Sequence, residues 1–299
     1  MEKGRSAFKA WVEAMRLRTL PVSVAGVITA AGCAAYVGKF NVWPWLICLF
    51  FAVGAQIVSN FANEYFDFKN GLDRKGREGF RRGVTEGDLS PTAMRNATFG
   101  LLAVVCLLGC SLIYWGGWEL IFIGIAVAAF AIGYSTGPYP LSHHGLGEIA
   151  VIVFFGLVPV YFTTYLQTGI PVPQFALWMG LGMGFMGANV LIVNNRRDME
   201  DDRKVGKKTL AVRFGAKAMA RLYLVNGFLA LLFFEIATAM KVDYIWQLVP
   251  LIYINQHWIF WQKFKEAEGS EFNQLLGKTA GMMPAMGLWA VLALTIGKV

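Results

Sequence analysis

Two short clusters of amides and carboxylates carry the chemistry of this 299-residue chain. The first is Asn63-Glu-Tyr-Phe-Asp67, followed by Phe68-Lys-Asn-Gly-Leu-Asp73; the second is Asn194-Asn195-Arg196-Arg197-Asp198, followed by Met199-Glu-Asp-Asp202. On a helix, Asn63 and Asp67 are one turn apart and share a face, and Asn194, Asp198 and Asp202 repeat that spacing. Each cluster closes a strongly apolar segment and runs into a loop rich in Lys, Arg and Gly. Carboxylates at the end of a membrane helix are costly unless they line a wet cavity or bind a cation. Two opposed oxygen-rich faces suit Mg²⁺, which keeps several waters and completes its shell with substrate phosphates. The ligand candidates are Asn63, Asp67, Asp73, Asp198 and Asp202, some of them acting through water.

The cations nearby suit a polyanion. Arg197 adjoins Asp198, Arg82 lies in the glycine-flanked stretch Gly79-Phe-Arg-Arg-Gly83, and Lys207 follows Gly206. Glycine permits close backbone approach, and Arg or Lys meets phosphate oxygens. The stretch is not a P-loop, because Gly-x4-Gly-Lys-Ser/Thr is absent.

The elements that must position these residues are membrane helices. The chain is 56% hydrophobic and 15% charged, against about 25% charged for a soluble domain. Its mean hydropathy is +0.50. Nine apolar segments, approximately 20–38, 43–66, 93–115, 118–135, 146–166, 174–195, 217–240, 244–263 and 278–297, are expected to be transmembrane helices around a central cavity. The fold class is thus an all-α integral membrane protein, with one transmembrane domain over residues 19–299. Residues 1–18 read as an amphipathic surface helix or a disordered tail, and no cleaved signal peptide is expected. With nine spans, all of the 27 Lys and Arg except Lys39, Lys241 and Lys298 fall on one side. The positive-inside rule makes that side cytoplasmic, with the cavity open to it. A basic patch this close to a bilayer argues against nucleic acid as partner, and no obligate protein partner is evident.

Asn63 to Asn194 and Asp67 to Asp198 are both separations of 131 residues, so two related halves facing one cavity are expected. Cys33, Cys48, Cys106 and Cys110 read as small buried residues, His143-His144 as a solvent-facing loop pair, and Gly180, Gly182, Gly184 and Gly187 as sites of tight helix packing.

With these motifs, the chain resembles the UbiA superfamily of intramembrane prenyltransferases over nearly its whole length. Within it the chain is most similar to the MenA type, the 1,4-dihydroxy-2-naphthoate polyprenyltransferases. The resemblance rests on Arg18-Thr-Leu-Pro21, Tyr65-Phe-Asp67-Phe-Lys with Gly71-Leu-Asp73, Gly137-Pro-Tyr-Pro-Leu141, Gly145-Leu-Gly-Glu148, and Asn194-Asn195 through Thr209-Leu-Ala-Val-Arg213. Gly71 stands where the commoner first motif has an acid, and Phe80 where a Pro is frequent. The resemblance implies transfer of a polyprenyl group from its diphosphate to an aromatic acceptor, with Mg²⁺ at the diphosphate. For dihydroxynaphthoate, carbon dioxide is lost and a demethylmenaquinol results. It implies catalytic roles for Asp67, Asp198, Asn63 and Arg197. It implies substrate contacts by Asn194, Arg82 and Lys207, cation shielding by Tyr65, Tyr134 and Tyr139, and an acceptor contact or base at Glu148. Other acceptors (4-hydroxybenzoate, a haem, a chlorophyllide) and transport of an anionic metabolite are the alternatives.

Overall fold

The computed structural model describes residues 6–76, 79–169, 171–239 and 241–299. Among them the chain is helical, with only an isolated bridge between Val242 and Lys298. Helices satisfy every backbone N–H and C=O within one segment, as hydrocarbon demands. The first helix, α1 (Ala7–Ala14), starts at Ser6, whose hydroxyl accepts the Lys9 N–H. It buries Ala10 and Ala14 beside Phe61. Arg16, at φ 52, turns the chain from α1 toward α2 (Leu20–Tyr36). Next come α3 (Val42–Lys69), a single turn at Gly83–Glu86, α4 (Pro91–Ser111) and α5 (Leu120–Gly133). Gly117, at φ 81, makes a tight turn before α5. Then follow α6 (Gly147–Thr168), α7 (Phe175–Arg197), the short α8 (Met199–Lys204), α9 (Leu210–Thr238), α10 (Val249–Glu266) and α11 (Glu271–Thr295).

All nine expected segments contain helix, but among the described residues only seven helices are both long and apolar enough to cross a membrane. The 14-residue α5 rises about 21 Å, short of the roughly 30 Å hydrocarbon core. The 18-residue α10 carries Gln, Asn, His, Lys and Glu within its length. The nine-span count is thus two higher than length and apolarity alone support.

Helix α7 is the hub. It packs on α6, α9, α11 and α2, while α2 pairs most closely with α11 and α3 with α4. Its Met179, Met183 and Ile192 are fully buried with Phe234 of α9 and Met283 of α11. Small residues permit the α6–α7 crossing. A Cβ added at Gly156 would sit 2.4 Å from both Gly180 O and Gly184 Cα. There α6 widens to a π-helical stretch over Ile152–Leu157, a deviation common at functional positions.

Candidate active site

One face of α3 carries Gln56, Ser59, Asn60, Asn63 and Asp67 at three- and four-residue steps, and all five line a polar cavity of about 150 Å³. Across it lie Asn194 and Asp198, at the C-terminal end of α7, and Asp202 of α8. The two clusters share a local geometry as well as a spacing. Asn63 Nδ2 donates to Asp67 Oδ2 at 3.4 Å, and Asn194 Nδ2 donates to Asp198 Oδ2 at 3.4 Å. A guanidinium then caps each amide oxygen, Arg82 Nη2 at 2.7 Å from Asn63 Oδ1 and Arg197 Nη2 at 2.8 Å from Asn194 Oδ1.

Buried charges require partners, and here cations and acids alternate. Lys207 Nζ donates to Asp67 Oδ2 at 2.9 Å and lies 4.0 Å from Asp202 Oδ1, so one ammonium links the two halves. Arg197 grips Asp198 with Nε and Nη2, at 2.8 and 2.9 Å, and donates from Nη1 to Asn273 of α11 at 2.9 Å. Its guanidinium lies over the Phe80 ring, 5.3 Å from the centroid. The loop before Arg82 fits this closely only because residue 79 is glycine. A Cβ there would be 2.8 Å from Arg197 Nη2 and 3.1 Å from Asp198 Oδ1.

Of the residues singled out in the sequence, Asn63, Asp67, Arg82, Tyr134, Asn194, Arg197, Asp198, Asp202 and Lys207 line the one cavity. Four others stand outside it. Asp73 lies behind Arg82, 3.3 Å from its Nε. Glu148 lies behind Asn195, whose Nδ2 donates to Glu148 Oε1 at 2.9 Å. Tyr65 packs beside Phe66 and the Ala10–Phe61 cluster; two residues from Asn63, it points about 200° around the helix. Tyr139 is 55% exposed and stacks on His144 at 3.7 Å. The aromatic wall is instead Tyr134 with Phe130 and Phe155, the Phe130 centroid being 5.7 Å from Tyr134 and 6.2 Å from Phe155.

His143 does not face solvent with its neighbour. Its Nε2 lies 3.9 Å from Asp67 Oδ1, and its carbonyl accepts the Lys208 N–H at 2.9 Å. Cys33 and Cys48 are buried, but Cys106 and Cys110 are exposed, because their face of α4 lines an open apolar groove.

Sequence reasoning also passed over Glu64. Placed about 100° from Asn63, it turns away from the cavity, is fully buried, and accepts the Val84 N–H on Oε1 at 3.0 Å. It thereby pins the turn that carries Arg82. Its signal was an acid beside the motif asparagine. Glu64→Leu is expected to lower stability by about 1–3 kcal/mol, the cost of a buried N–H left unpaired, while Glu64→Gln keeps an acceptor and most of that stability. Thermal unfolding of both variants in lipid checks this.

The apolar groove, about 280 Å³, runs between α2, α3, α4, α5 and α6. Gln56, Ser59, Phe130 and Phe155 line both it and the polar cavity. The combined space therefore suits an amphiphile with a polyanionic head and a long hydrocarbon tail.

The donor set also suits Mg²⁺. Among the described residues Asp67 Oδ1 is buried without a hydrogen-bond partner, and Asp198 and Asp202 offer further carboxylates on the opposite wall. No three acids, His or Cys side chains among the described residues are grouped as a protein-only metal site.

The sequence profile of the UbiA prenyltransferase family matches residues 24–276. A 1,4-dihydroxy-2-naphthoate octaprenyltransferase of Haemophilus influenzae is 35% identical, over 97% of this chain and 96% of its own. The Escherichia coli protein of the same description is 35% identical over 72% of this chain and 71% of its own. Among solved structures, a UbiA homologue from Archaeoglobus fulgidus bound to GPP and Mg²⁺ shares the fold, with a TM-score of 0.68 at 14% identity, covering 94% of this chain and 99% of that one.

Proposed function

The chain belongs to the UbiA prenyltransferase family, and on that premise we propose that it transfers a polyprenyl group from a polyprenyl diphosphate to 1,4-dihydroxy-2-naphthoate. Carbon dioxide is lost and a demethylmenaquinol forms, a step of menaquinone biosynthesis. The observation that carries the reaction type is the junction of a cation-rich polar cavity with an apolar groove across Gln56, Ser59, Phe130 and Phe155. The acceptor rests on the relatives, which are 1,4-dihydroxy-2-naphthoate octaprenyltransferases.

The diphosphate head sits among Arg82, Arg197 and Lys207, with Asn63 and Asn194 fixing two of those cations. Asp67, Asp198 and Asp202 would hold Mg²⁺, which when bound would supply charge neutralisation of the diphosphate leaving group; Asp73 serves by orienting Arg82. The allylic C–O bond breaks with its electron pair going to the diphosphate. Arg82, Arg197 and Lys207, already fixed in place, face the negative charge that develops there. The faces of Phe130, Tyr134 and Phe155 border the allylic carbon and favour its positive charge. The ring carbon of the electron-rich acceptor that bears the carboxylate then bonds to that carbon, and carbon dioxide leaves from it, its C–C electron pair restoring aromaticity to the ring. Charge asymmetry supports a multi-pass protein of the cytoplasmic membrane with this cavity facing the cytoplasm.

The test is a competition. Purified protein in lipid, with Mg²⁺ and geranylgeranyl diphosphate, is offered 1,4-dihydroxy-2-naphthoate and 4-hydroxybenzoate together, and products are identified by mass. A prenylated, decarboxylated naphthalenediol that disappears on chelation is expected. Prenylated hydroxybenzoate alone overturns the acceptor, and no prenylated product overturns the activity.

A further inference from the structure

The turn Leu141–His143, between α5 and α6, reaches the wall of the polar cavity, where Ser142 is a lining residue. The two histidines that follow Ser142 part ways. His144 has its Nδ1 2.9 Å from the Pro140 carbonyl oxygen and stacks on the exposed Tyr139 ring at 3.7 Å. The His143 side chain is only 17% exposed, and its Nε2 is buried 3.9 Å from Asp67 Oδ1. Neither His143 Nε2 nor Asp67 Oδ1 has a hydrogen-bond partner among the described residues. Two buried polar atoms left open beside each other call for a reason.

The turn is held firmly where it is. The Ser142 N–H donates to the Tyr134 carbonyl at 3.0 Å. The Lys208 N–H donates to the His143 carbonyl at 2.9 Å, and the Lys208 carbonyl accepts Arg213 Nε at 2.9 Å. Gly145, at φ 71, lets the two segments pass this closely, since a Cβ there would lie 3.2 Å from Lys208 O. The loop before α6 is thus stitched to the loop before α9, whose Lys207 Nζ donates to Asp67 Oδ2 at 2.9 Å. The two oxygens of one carboxylate therefore face neighbouring points of a single stitched unit, Lys207 at Oδ2 and His143 at Oδ1.

We propose that His143 is a positioning residue for Asp67: its Nε2–H holds Oδ1 while Lys207 holds Oδ2, which fixes the plane in which the carboxylate meets Mg²⁺. The assignment deepens the reading of Asp67 as a Mg²⁺ ligand and rests on it. A carboxylate oxygen has two lone-pair sites, so Oδ1 can accept from His143 and still face a cation. Ring movement of about an ångström brings the pair to hydrogen-bond length, and bonds of this kind are often long until the ligands arrive. Removing such an outer partner of a metal ligand costs about 10–100-fold in metal affinity.

Mn²⁺ binding tests it, read by EPR on the full chain in lipid nanodiscs with geranylgeranyl diphosphate and no acceptor, protein-free nanodiscs giving the blank. His143→Phe keeps a ring and removes the donor, and should weaken Mn²⁺ about 10–100-fold. His143→Gln sets an amide N–H near the place of Nε2 and should recover most of that loss, which a packing role does not allow. His144→Phe, whose ring can still stack on Tyr139, should bind as wild type. In turnover, the Mg²⁺ concentration for half-maximal rate should rise by the same factor in His143→Phe, with kcat at saturating Mg²⁺ close to wild type. Wild-type Mn²⁺ affinity in His143→Phe overturns the role. So does an equal loss in the Phe and Gln variants, or a kcat that stays low at saturating Mg²⁺. Parallel assays separate this role from the activity. Mn²⁺ binding that depends on His143, with no prenylated product, upholds the role and refutes the activity; prenyl transfer with the same Mg²⁺ requirement in wild type and His143→Phe does the reverse.

Discussion

Asp67→Asn is expected to lower kcat/KM for prenyl transfer by about a thousandfold, on the order of the loss when one pre-organised polar group is removed from a transition state. Asn keeps the shape and removes the charge. The wild-type carboxylate is fully buried, accepts Lys207 Nζ on Oδ2 at 2.9 Å, and leaves Oδ1 without a hydrogen-bond partner among the described residues. Loss of that charge weakens the proposed metal ligand and the tether of a cation at once. It also leaves the Lys207 ammonium, only 10% exposed, without its closest acid, and breaking a buried pair from one side costs about 3–5 kcal/mol. A folding defect could therefore pass for a chemical one, and a second substitution separates them. Asp67→Asn with Lys207→Met removes both charges and should recover most of the unfolding temperature while turnover stays low. If the double variant instead regains more than a tenth of wild-type turnover, the carboxylate has no part in the chemistry.

Gly156→Val should be the most damaging change outside the cavity. A Cβ at 156 falls 2.4 Å from Gly180 O and Gly184 Cα and 2.5 Å from Gly184 N. These are backbone atoms, and no rotamer can relieve the overlap. Overpacking costs about 1–3 kcal/mol where side chains can yield, so at least the upper end applies here. The damage should also reach the site, because α7, which must shift, ends in Asn194 and Arg197. Low yield of folded protein and a large fall in unfolding temperature are expected. Gly100→Val, where an added Cβ meets nothing within 4 Å, should behave as wild type and serves as the control in the same assay.

What was legible beforehand was what is local along a helix. Asn63 with Asp67, and Asn194 with Asp198 and Asp202, could be placed on shared faces because one turn of helix fixes that geometry. The cations near them in sequence followed from composition and glycine placement. Tyr65 was misplaced although it sits inside the first motif, because two residues along a helix is nearly the opposite face. His143, Glu64 and Arg16 were missed for another reason. Each depends on a contact between distant segments: His143 with Asp67, Glu64 with Val84, and Arg16 with Asn63. Arg16 depends further on a left-handed bend that no residue type at that position announces. The count of spans is least legible at α5 and α10, where the helix is short or its apolar composition is diluted by polar residues.

The open face of the apolar groove bears on how the two products part company. Cys106 and Cys110 of α4 and Ile121 and Ile125 of α5 line the groove and are also exposed. The groove proposed for the tail is thus open at its side between α4 and the short α5. Carrying a polyprenyl chain through water would cost about 0.8 kcal/mol for every methylene, a prohibitive sum over several isoprene units. A sideways exit avoids that route, since the tail passes from one hydrocarbon phase to another. Diphosphate is miscible only with water and must depart by the polar end. The protein in this view is a phase-transfer catalyst fixed at a boundary, joining a water-borne leaving group to a lipid-borne product and releasing each into its own solvent.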